Sequence, residues 1–318
     1  MNSMALKQFV KKNDAIVTVY IVLIIEIIIG LLVSNRFISA VNLGNIFEQA
    51  VGLGIVSIAQ ALIILTGGID LSLGAMISAT CAMLSVITAD SPVGILIGIV
   101  VALAFGIGFG ALNGWGITTL KVPPFAMTLA TMSVLTGIAL VFRPTPGGSV
   151  PYALTEFLTY RLGVIPVGIL IMVAFFAIMI TVLGKTRFGR NIYAVGGSER
   201  TSQLSGINTK KVKIAVYALG GMLAAIAGIY LTARMGTGDA SLGKNFSLDS
   251  VTVCVLGGLS LAGGVGRLSG IIASTFVMTI LNNILNLVGV DSYWQYALKG
   301  AILILIVLIY AVKDRKEN

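Results

Sequence analysis

Few residues in this chain have the type and spacing that an enzyme would need. Residues 238–244 read Gly-Asp-Ala-Ser-Leu-Gly-Lys, close to a phosphate-binding loop, but Asn245 follows where that loop needs a magnesium-binding serine or threonine. There is no histidine, and both cysteines, Cys81 and Cys254, lie inside apolar runs, so neither a catalytic triad nor a zinc set can be argued. We predict no catalytic residues, metal or cofactor in this chain, and packing roles for both cysteines.

Asp70 is the most informative ionisable residue, because it lies between two apolar stretches. An ionisable group at the bilayer centre costs about 3 kcal/mol and marks a functional site by default. If a span ends at Thr66, however, Asp70 lies at the cytoplasmic interface, where it caps the following helix together with Ser72. Both interpretations stay open, and Glu26 and Lys299 receive no role because neither has an identifiable partner.

Two similar glycine-rich strings, residues 67–74 and 257–264, interrupt apolar stretches near opposite ends of the chain. Irregular backbone survives at membrane depth only where protein or water satisfies its polar groups, so such paired breaks indicate an internal repeat and a transport pathway. Close helix packing through glycine is the alternative. The pathway candidates in these strings are Gly67, Gly68, Asp70, Ser72, Gly257, Gly258, Gly263 and Gly264.

Two asparagines complete the pathway candidates. Asn282 and Asn286 are four residues apart in an apolar run, so they share one helix face that could hydrogen-bond a sugar hydroxyl. A hydrogen bond between neighbouring helices is the alternative.

The elements that position these residues are apolar helices. The chain of 318 residues is 57% hydrophobic and 10% charged, with a mean hydropathy of +1.02, whereas a soluble domain carries about 25% charged residues. This composition predicts an all-α, polytopic membrane protein. A span needs roughly 20 apolar residues, and about ten segments qualify: 15–33, 47–66, 73–89, 93–120, 125–142, 165–184, 214–233, 251–266, 271–290 and 296–312.

The basic residues indicate an orientation rather than a nucleic-acid partner, because they lie in short loops between apolar runs. With both termini cytoplasmic, fifteen lysines and arginines fall inside and five outside. The outer five are Arg36, Arg143, Arg161, Arg234 and Lys244. We therefore predict cytoplasmic tails at 1–14 and 313–318 around a membrane domain at 15–312.

Two hydrophilic segments are long enough to meet partners. The outer segment, 143–164, contains three prolines and is predicted to be a constrained loop. The inner segment, 185–213, carries seven basic residues and a single acid, Glu199.

Several strings together resemble the ribose-type monosaccharide permeases of bacterial ABC importers, and the resemblance covers nearly the whole chain in order. The strings are GGIDLS at 67–72, RFGR at 187–190, YAVGG at 193–197, LSGIN at 204–208, LGGLSLAGGVG at 256–266, NN at 282–283 and SYWQ at 292–295. Branched-chain amino-acid permeases are distant relatives, and the IDLS string places this chain on the sugar side.

The resemblance implies a permease subunit in the bacterial inner membrane that binds cytoplasmic ABC ATPase subunits, which hold ATP and magnesium. It also implies an extracytoplasmic sugar-binding protein and a second permease subunit, with a homodimer favoured. The ATPase would dock on residues about 196–206. The coupling residues carried over are Arg190, Gly196, Gly197, Glu199, Arg200, Leu204, Ser205 and Gly206.

Two other classes remain open on the residues alone. An ion-coupled secondary transporter would use Asp70 or Glu26 as its ion site. A membrane scaffold that only recruits partners would move no solute.

Overall fold

The computed structural model describes residues 14–88 and 90–317. Most of the predicted N-terminal tail, residues 1–13, therefore lies outside the described residues. The described residues are predominantly helical.

The helices follow one another along the chain with short connections. They are α1 (Asp14–Val33), α2 (Ala40–Leu65), α3 (Ser72–Ile87), α4 (Pro92–Thr119), α5 (Pro124–Phe142), α6 (Tyr152–Thr159), α7 (Val167–Lys185), α8 (Arg187–Gly197), α9 (Glu199–Leu204), α10 (Thr209–Met235), α11 (Phe246–Leu256), α12 (Leu268–Leu287) and α13 (Ser292–Glu317). Two short strands, β1 (Arg161–Leu162) and β2 (Ile165–Pro166), pair antiparallel in the connection before α7.

Seven helices in the described part of the chain are long and apolar enough to cross a membrane: α1, α2, α4, α5, α7, α10 and α12. The prediction of an all-α polytopic membrane protein is confirmed to that extent. Two further predicted spans fall on α3 and α11, which are apolar but shorter, and the last falls on α13. The count of ten remains a prediction.

The predicted span 251–266 is wrong in its extent. Helix α11 ends at Leu256, and the chain then turns irregularly until α12 begins at Leu268. Gly258, Gly263 and Gly264 have φ of +87°, +92° and +71°. Because these left-handed values are incompatible with a right-handed helix, the apolar run cannot continue as one.

Helices α2 and α10 form the centre of the fold. In the 18-residue apolar stretch of α2, 94% of residues are buried, whereas in that of α1 only 11% are buried. Helix α1 therefore lies at the periphery. Helix α10 packs closely on α4, where Gly106 and Gly110 lie against the backbone carbonyls of Gly221 and Tyr217. Small residues allow this close approach of two backbones.

Both cysteines are free and buried. Cys254 Sγ contacts the carbonyl of Ser57 at 3.5 Å, and Cys81 Sγ contacts that of Thr237 at 3.7 Å. Their predicted packing role is confirmed.

The predicted constrained loop at 143–164 contains α6 and β1. Two arginines from different segments converge there on one carboxylate: Arg161 Nη2 lies 2.7 Å from Glu48 Oε1, and Arg234 Nε lies 3.1 Å from Glu48 Oε2. The loop is therefore fixed to α2 and to the end of α10.

Candidate functional site

Three backbone segments from distant parts of the sequence meet where α2 ends. The amide of Gly264 donates to the carbonyl of Leu65 at 3.0 Å. A Cβ on Gly196, at the end of α8, would collide with that same carbonyl, and a Cβ on Gly263 would lie 3.0 Å from the carbonyl of Gly196. We call this contact of Gly67, Gly196, Gly263 and Gly264 around Leu65 the glycine junction. It places α8 directly against both glycine-rich breaks.

Some of the predicted glycines are required by their backbone conformation. Gly67, at the junction, has φ of +77°, a value that residues with a Cβ rarely adopt. By contrast, Gly68 packs against the Tyr217 side chain and Gly257 against the backbone of Gly270, so their role is close packing. The alternative of close packing is confirmed for Gly68 and Gly257, and the pathway role of the two strings stays a prediction.

Asp70 lies in the break between α2 and α3, and its side chain is buried. Its Oδ1 accepts hydrogen bonds from the Ser72 amide at 2.7 Å and from the Ser72 hydroxyl at 2.6 Å. Leu71 occupies the N-cap position of α3 without a side-chain cap, so the carboxylate satisfies an amide that the helix leaves free. The predicted capping role of Asp70 with Ser72 is confirmed. Asp70 is only 1% exposed, so this cap is buried inside the protein, and its depth in the membrane stays a prediction.

Further polar groups extend this arrangement into α4 and α5. Asn113 Nδ2 donates to Ser72 Oγ at 3.0 Å and lies 3.4 Å from Asp70 Oδ2, and Thr131 Oγ1 donates to Asn113 Oδ1 at 2.5 Å. The Gln60 amide faces the Asp70 backbone, and in the orientation that satisfies both of its ends it donates to the Asp70 carbonyl at 2.9 Å and accepts from the Asp70 amide at 3.3 Å. The break is thus held by a connected network, which the sequence pattern did not indicate beyond Asp70 and Ser72.

The predicted coupling segment forms two short helices, α8 and α9. Side chains cap both of them: Thr186 accepts from the Gly189 amide at 3.1 Å, and Ser198 accepts from the Thr201 amide at 3.2 Å. Leu204 ends α9 with 83% of its surface exposed. The other exposed residues of the predicted coupling set are Arg190, Gly197, Arg200, Ser205 and Gly206.

Glu199 is paired within the chain, although its side chain is 36% exposed. It accepts from Lys213 Nζ at 2.5 Å and from the Thr209 hydroxyl at 3.2 Å, which ties α9 to the start of α10. Burial raises the pKa of Glu199, but the hydrogen bond and charge of Lys213, with the Thr209 hydroxyl, outweigh burial and lower it below 4.5.

A cavity of about 690 Å³ lies between α3, α5, the start of the outer loop and the segment before α11. Its apolar walls include Ala75 and Met132, and Arg143, Asp239 and Lys244 add charge. None of the predicted pathway residues lines it. The sequence did not predict this cavity, because its walls come from four separate segments. Only Arg143 and the prolines after it stand out locally, as the start of the outer loop.

Leu71 connects the break with this cavity. It follows Asp70 directly and lines the cavity, and its carbonyl accepts from Ser247 Oγ at 2.6 Å. Ser247 in turn accepts from the Gly74 amide at 3.0 Å. The five-residue segment 67–71 therefore connects the glycine junction, at Gly67, to the cavity wall, at Leu71.

Asn282 and Asn286 line one small cavity, which confirms that they share a helix face. The neighbouring Asn283 instead forms reciprocal amide hydrogen bonds with Asn42, at 2.7 and 3.0 Å. Lys299, to which the sequence assigned no role, forms an ion pair with Asp249 at 3.0 Å. Glu26 Oε2 is buried and has no hydrogen-bond partner among the described residues.

The family model described as "Branched-chain amino acid transport system / permease component" matches residues 42–307. The chain is 37% identical to the ribose import permease protein RbsC of Bacillus subtilis over 302 residues, covering 93% of this chain and 91% of that protein. It is 38% identical to RbsC of Escherichia coli K12, covering 91% of each chain.

A galactose/methyl galactoside import permease protein, MglC of Haemophilus influenzae, is 34% identical over 321 residues, covering 94% of this chain and 95% of that protein. No solved structure matches the chain.

Proposed function

The chain belongs to the family of branched-chain amino acid transport system permease components, and within it to the sugar ABC transporter permeases, and from this premise we propose that it forms the translocation pathway of an ATP-powered monosaccharide importer. Its substrate is ribose or a related pentose or hexose, in keeping with the names of its relatives. The hydrolysis of ATP, with its magnesium ion, belongs to a separate cytoplasmic subunit.

The observation that carries the proposal is the glycine junction. It puts the exposed α8–α9 surface one backbone contact away from both breaks, through Gly196 at the end of α8. A partner that binds this surface can therefore act on the membrane core directly.

In this mechanism the ATPase subunits bind α9 through Leu204, with Arg190 and Arg200 as flanking charges. The helix moves as a rigid unit because Ser198 caps it and Glu199 ties it to Lys213. Closure of the ATPase displaces α8, and the displacement passes through Gly196 to Leu65 and Gly264. Such a push switches a core that has two discrete arrangements.

The sugar passes through the 690 Å³ cavity, where Leu71 forms part of the wall. Because Leu71 belongs to the break that ends at the glycine junction, a displaced junction changes the shape of the cavity. Asp70 and Ser72 keep the start of α3 intact while the break moves, since their hydrogen bonds replace the helix bonds missing there.

The outer loop supplies the entrance. Arg143, Pro144 and Pro146 line the cavity, and Gly147 pairs through its backbone with Gly238 at 2.9 Å in both directions. An extracytoplasmic sugar-binding protein that docks on this loop would release its sugar at the cavity mouth. We place the chain in the bacterial inner membrane, with both termini cytoplasmic and a second copy of the same chain as its partner.

The test is sugar uptake into proteoliposomes that contain the chain, its ATPase and its binding protein. Leu204→Ala should lower uptake on the order of tenfold, because it removes the exposed apolar group from the docking surface. Leu204→Met, which keeps the apolar volume, is the matched control. Normal uptake by Leu204→Ala would reject the coupling role, and gradient-driven uptake by the chain alone would favour ion-coupled transport.

A further inference from the structure

A second, polar pocket lies far from the glycine junction, between α2, α11, α12 and α13. Two adjoining cavities of about 200 and 210 Å³ share the wall residues Gln49, Asn245, Asn282 and Lys299. Gln49 precedes Leu65 by roughly 24 Å along α2, given a rise of about 1.5 Å per residue. We name as the amide pocket the residues Gln49, Asn245, Asn282, Asn286, Gln295 and Lys299.

The amide pocket has hydrogen-bonding capacity that the protein does not use. Among the described residues, Asn282 Oδ1 is buried without a partner, and the side chain of Gln49 makes no hydrogen bond. Other amides are oriented by the protein: Gln295 Nε2 donates to Asn286 Oδ1 at 2.8 Å, and Asn245 Nδ2 donates to the Tyr296 hydroxyl at 2.8 Å. Primary amides both donate and accept, which matches hydroxyl groups.

The charges around the pocket are already compensated. Lys299 pairs with Asp249 at 3.0 Å, and Arg234 pairs with Glu48 at 3.1 Å. An anionic or cationic ligand would have to displace one of these partly buried pairs, which is costly. A neutral ligand can instead use the free amide groups.

The pocket is separate from the large cavity, although both adjoin the start of α11. Asn245, Phe246 and Asp249 face the amide pocket side, whereas Ser247 and Leu248 line the 690 Å³ cavity. The first turn of α11 is therefore the wall between them.

We propose that the amide pocket is a second binding site, which takes a neutral polyhydroxylated molecule of monosaccharide size. Its two cavities together fall in the range of about 300–1,000 Å³ of small-molecule sites. Hydroxyl groups of the ligand exchange hydrogen bonds with the side-chain amides of Gln49 and Asn282, two residues that line both cavities. The choice of sugars as probes rests on the proposed function, whereas the site itself follows from the pocket chemistry.

The test uses the full chain in lipid nanodiscs without ATPase or binding protein, so a failure of ATP coupling cannot affect the result. Binding of tritiated D-ribose and D-galactose is measured by scintillation proximity, with ribose 5-phosphate as the charged competitor. Asn282→Leu and Gln49→Leu should each weaken sugar binding about five- to tenfold, the loss of one or two hydrogen bonds. The phosphorylated sugar should compete poorly.

Asn283→Leu is the matched control, because it removes the same amide from the adjacent position on α12. It breaks the reciprocal bonds with Asn42, so it should lower the melting temperature while sugar binding is retained. Asn282→Leu should leave the melting temperature unchanged or raise it, since it removes an unpaired polar atom.

The proposal is overturned if the wild-type chain binds neither sugar, if Asn282→Leu and Gln49→Leu both bind normally, or if ribose 5-phosphate is preferred. The first two results would mean that the pocket holds only ordered water. Uptake by the complete transporter would be unaffected by those results, so the proposed function would stand.

Discussion

The two ends of the membrane core are built from different kinds of contact. At the α8 end, the glycine junction brings backbone atoms of Gly196, Gly264 and Leu65 together with no room for a Cβ. At the opposite end, the 690 Å³ cavity and the amide pocket are open spaces lined by side chains.

This difference separates two physical tasks. Backbones in direct contact cannot yield by changing rotamers, so a displacement at one passes to the next. Side chains around an open space can adjust to a solute and supply donors and acceptors. The molecule therefore has a close backbone contact beside the surface where we propose that a partner pushes, and open spaces where we propose that a solute binds.

The comparison is tested most strongly at the junction itself. Gly196→Ala places a Cβ on the Leu65 carbonyl, so the backbones must separate, at a cost of about 3 kcal/mol. We expect a clearly lower melting temperature and loss of ATP-driven uptake in the proteoliposome assay.

The neighbouring Gly197→Ala is the control, because a Cβ there meets nothing within 4 Å. It should leave the melting temperature unchanged, so the two substitutions are compared by thermal unfolding. If both substitutions behave alike, the junction is not the stiff contact that the comparison requires.

A smaller effect is expected at the break between the two ends. Asp70→Ala leaves the buried Ser72 amide and the Asn113 side chain without their acceptor, at a cost of about 2 kcal/mol. Asp70→Asn retains an acceptor oxygen and should recover much of that loss in thermal unfolding. Equal melting temperatures for wild type and Asp70→Ala would show that the network does not hold the break.

The smallest effect concerns the α8–α9 surface. Burial raises the pKa of Glu199, but its pairing with Lys213 lowers the pKa below the ordinary value of a glutamate. Its contribution to stability is therefore present above that ordinary pKa and is lost as the pH falls through the folded pKa. Because Glu199 is 36% exposed, the contribution should stay under about 1 kcal/mol.

The protection factors of the α9 amides, which correct for the intrinsic exchange rate at each pH, should therefore fall on acidification in the wild type. Glu199→Gln should remove this pH dependence while leaving exchange in α10 unchanged. If the protection factors of the wild-type α9 amides are the same at every pH, Glu199 does not stabilise α9 in this way.

Much of the fold followed from apolar length alone. Seven of the predicted spans were found because a bilayer-crossing helix needs a long apolar run, and such a run is visible in a single sequence. Residues near one another in the chain were also predictable: Asp70 caps with Ser72, and Asn282 and Asn286 share a face.

The remaining features depend on residues distant in sequence. The contact between Leu65, Gly196 and Gly264 has no local signal, because nothing near any one of them specifies the other two. The pairing of Glu199 with Lys213 is another such contact, because it depends on how α9 and α10 pack together, and the coupling role of Glu199 stays a prediction. The predicted span that includes α11 was too long, because hydropathy carries no information about the left-handed φ of Gly258.

The burial of both cysteines has a practical consequence. Cys81 and Cys254 are the only thiols in the sequence, and neither has measurable solvent exposure. Maleimide reagents need an accessible thiolate, so a single new cysteine at exposed Leu204 can be labelled selectively in the native background. Fluorescence or spin probes can thus report on α9 without first removing either natural thiol.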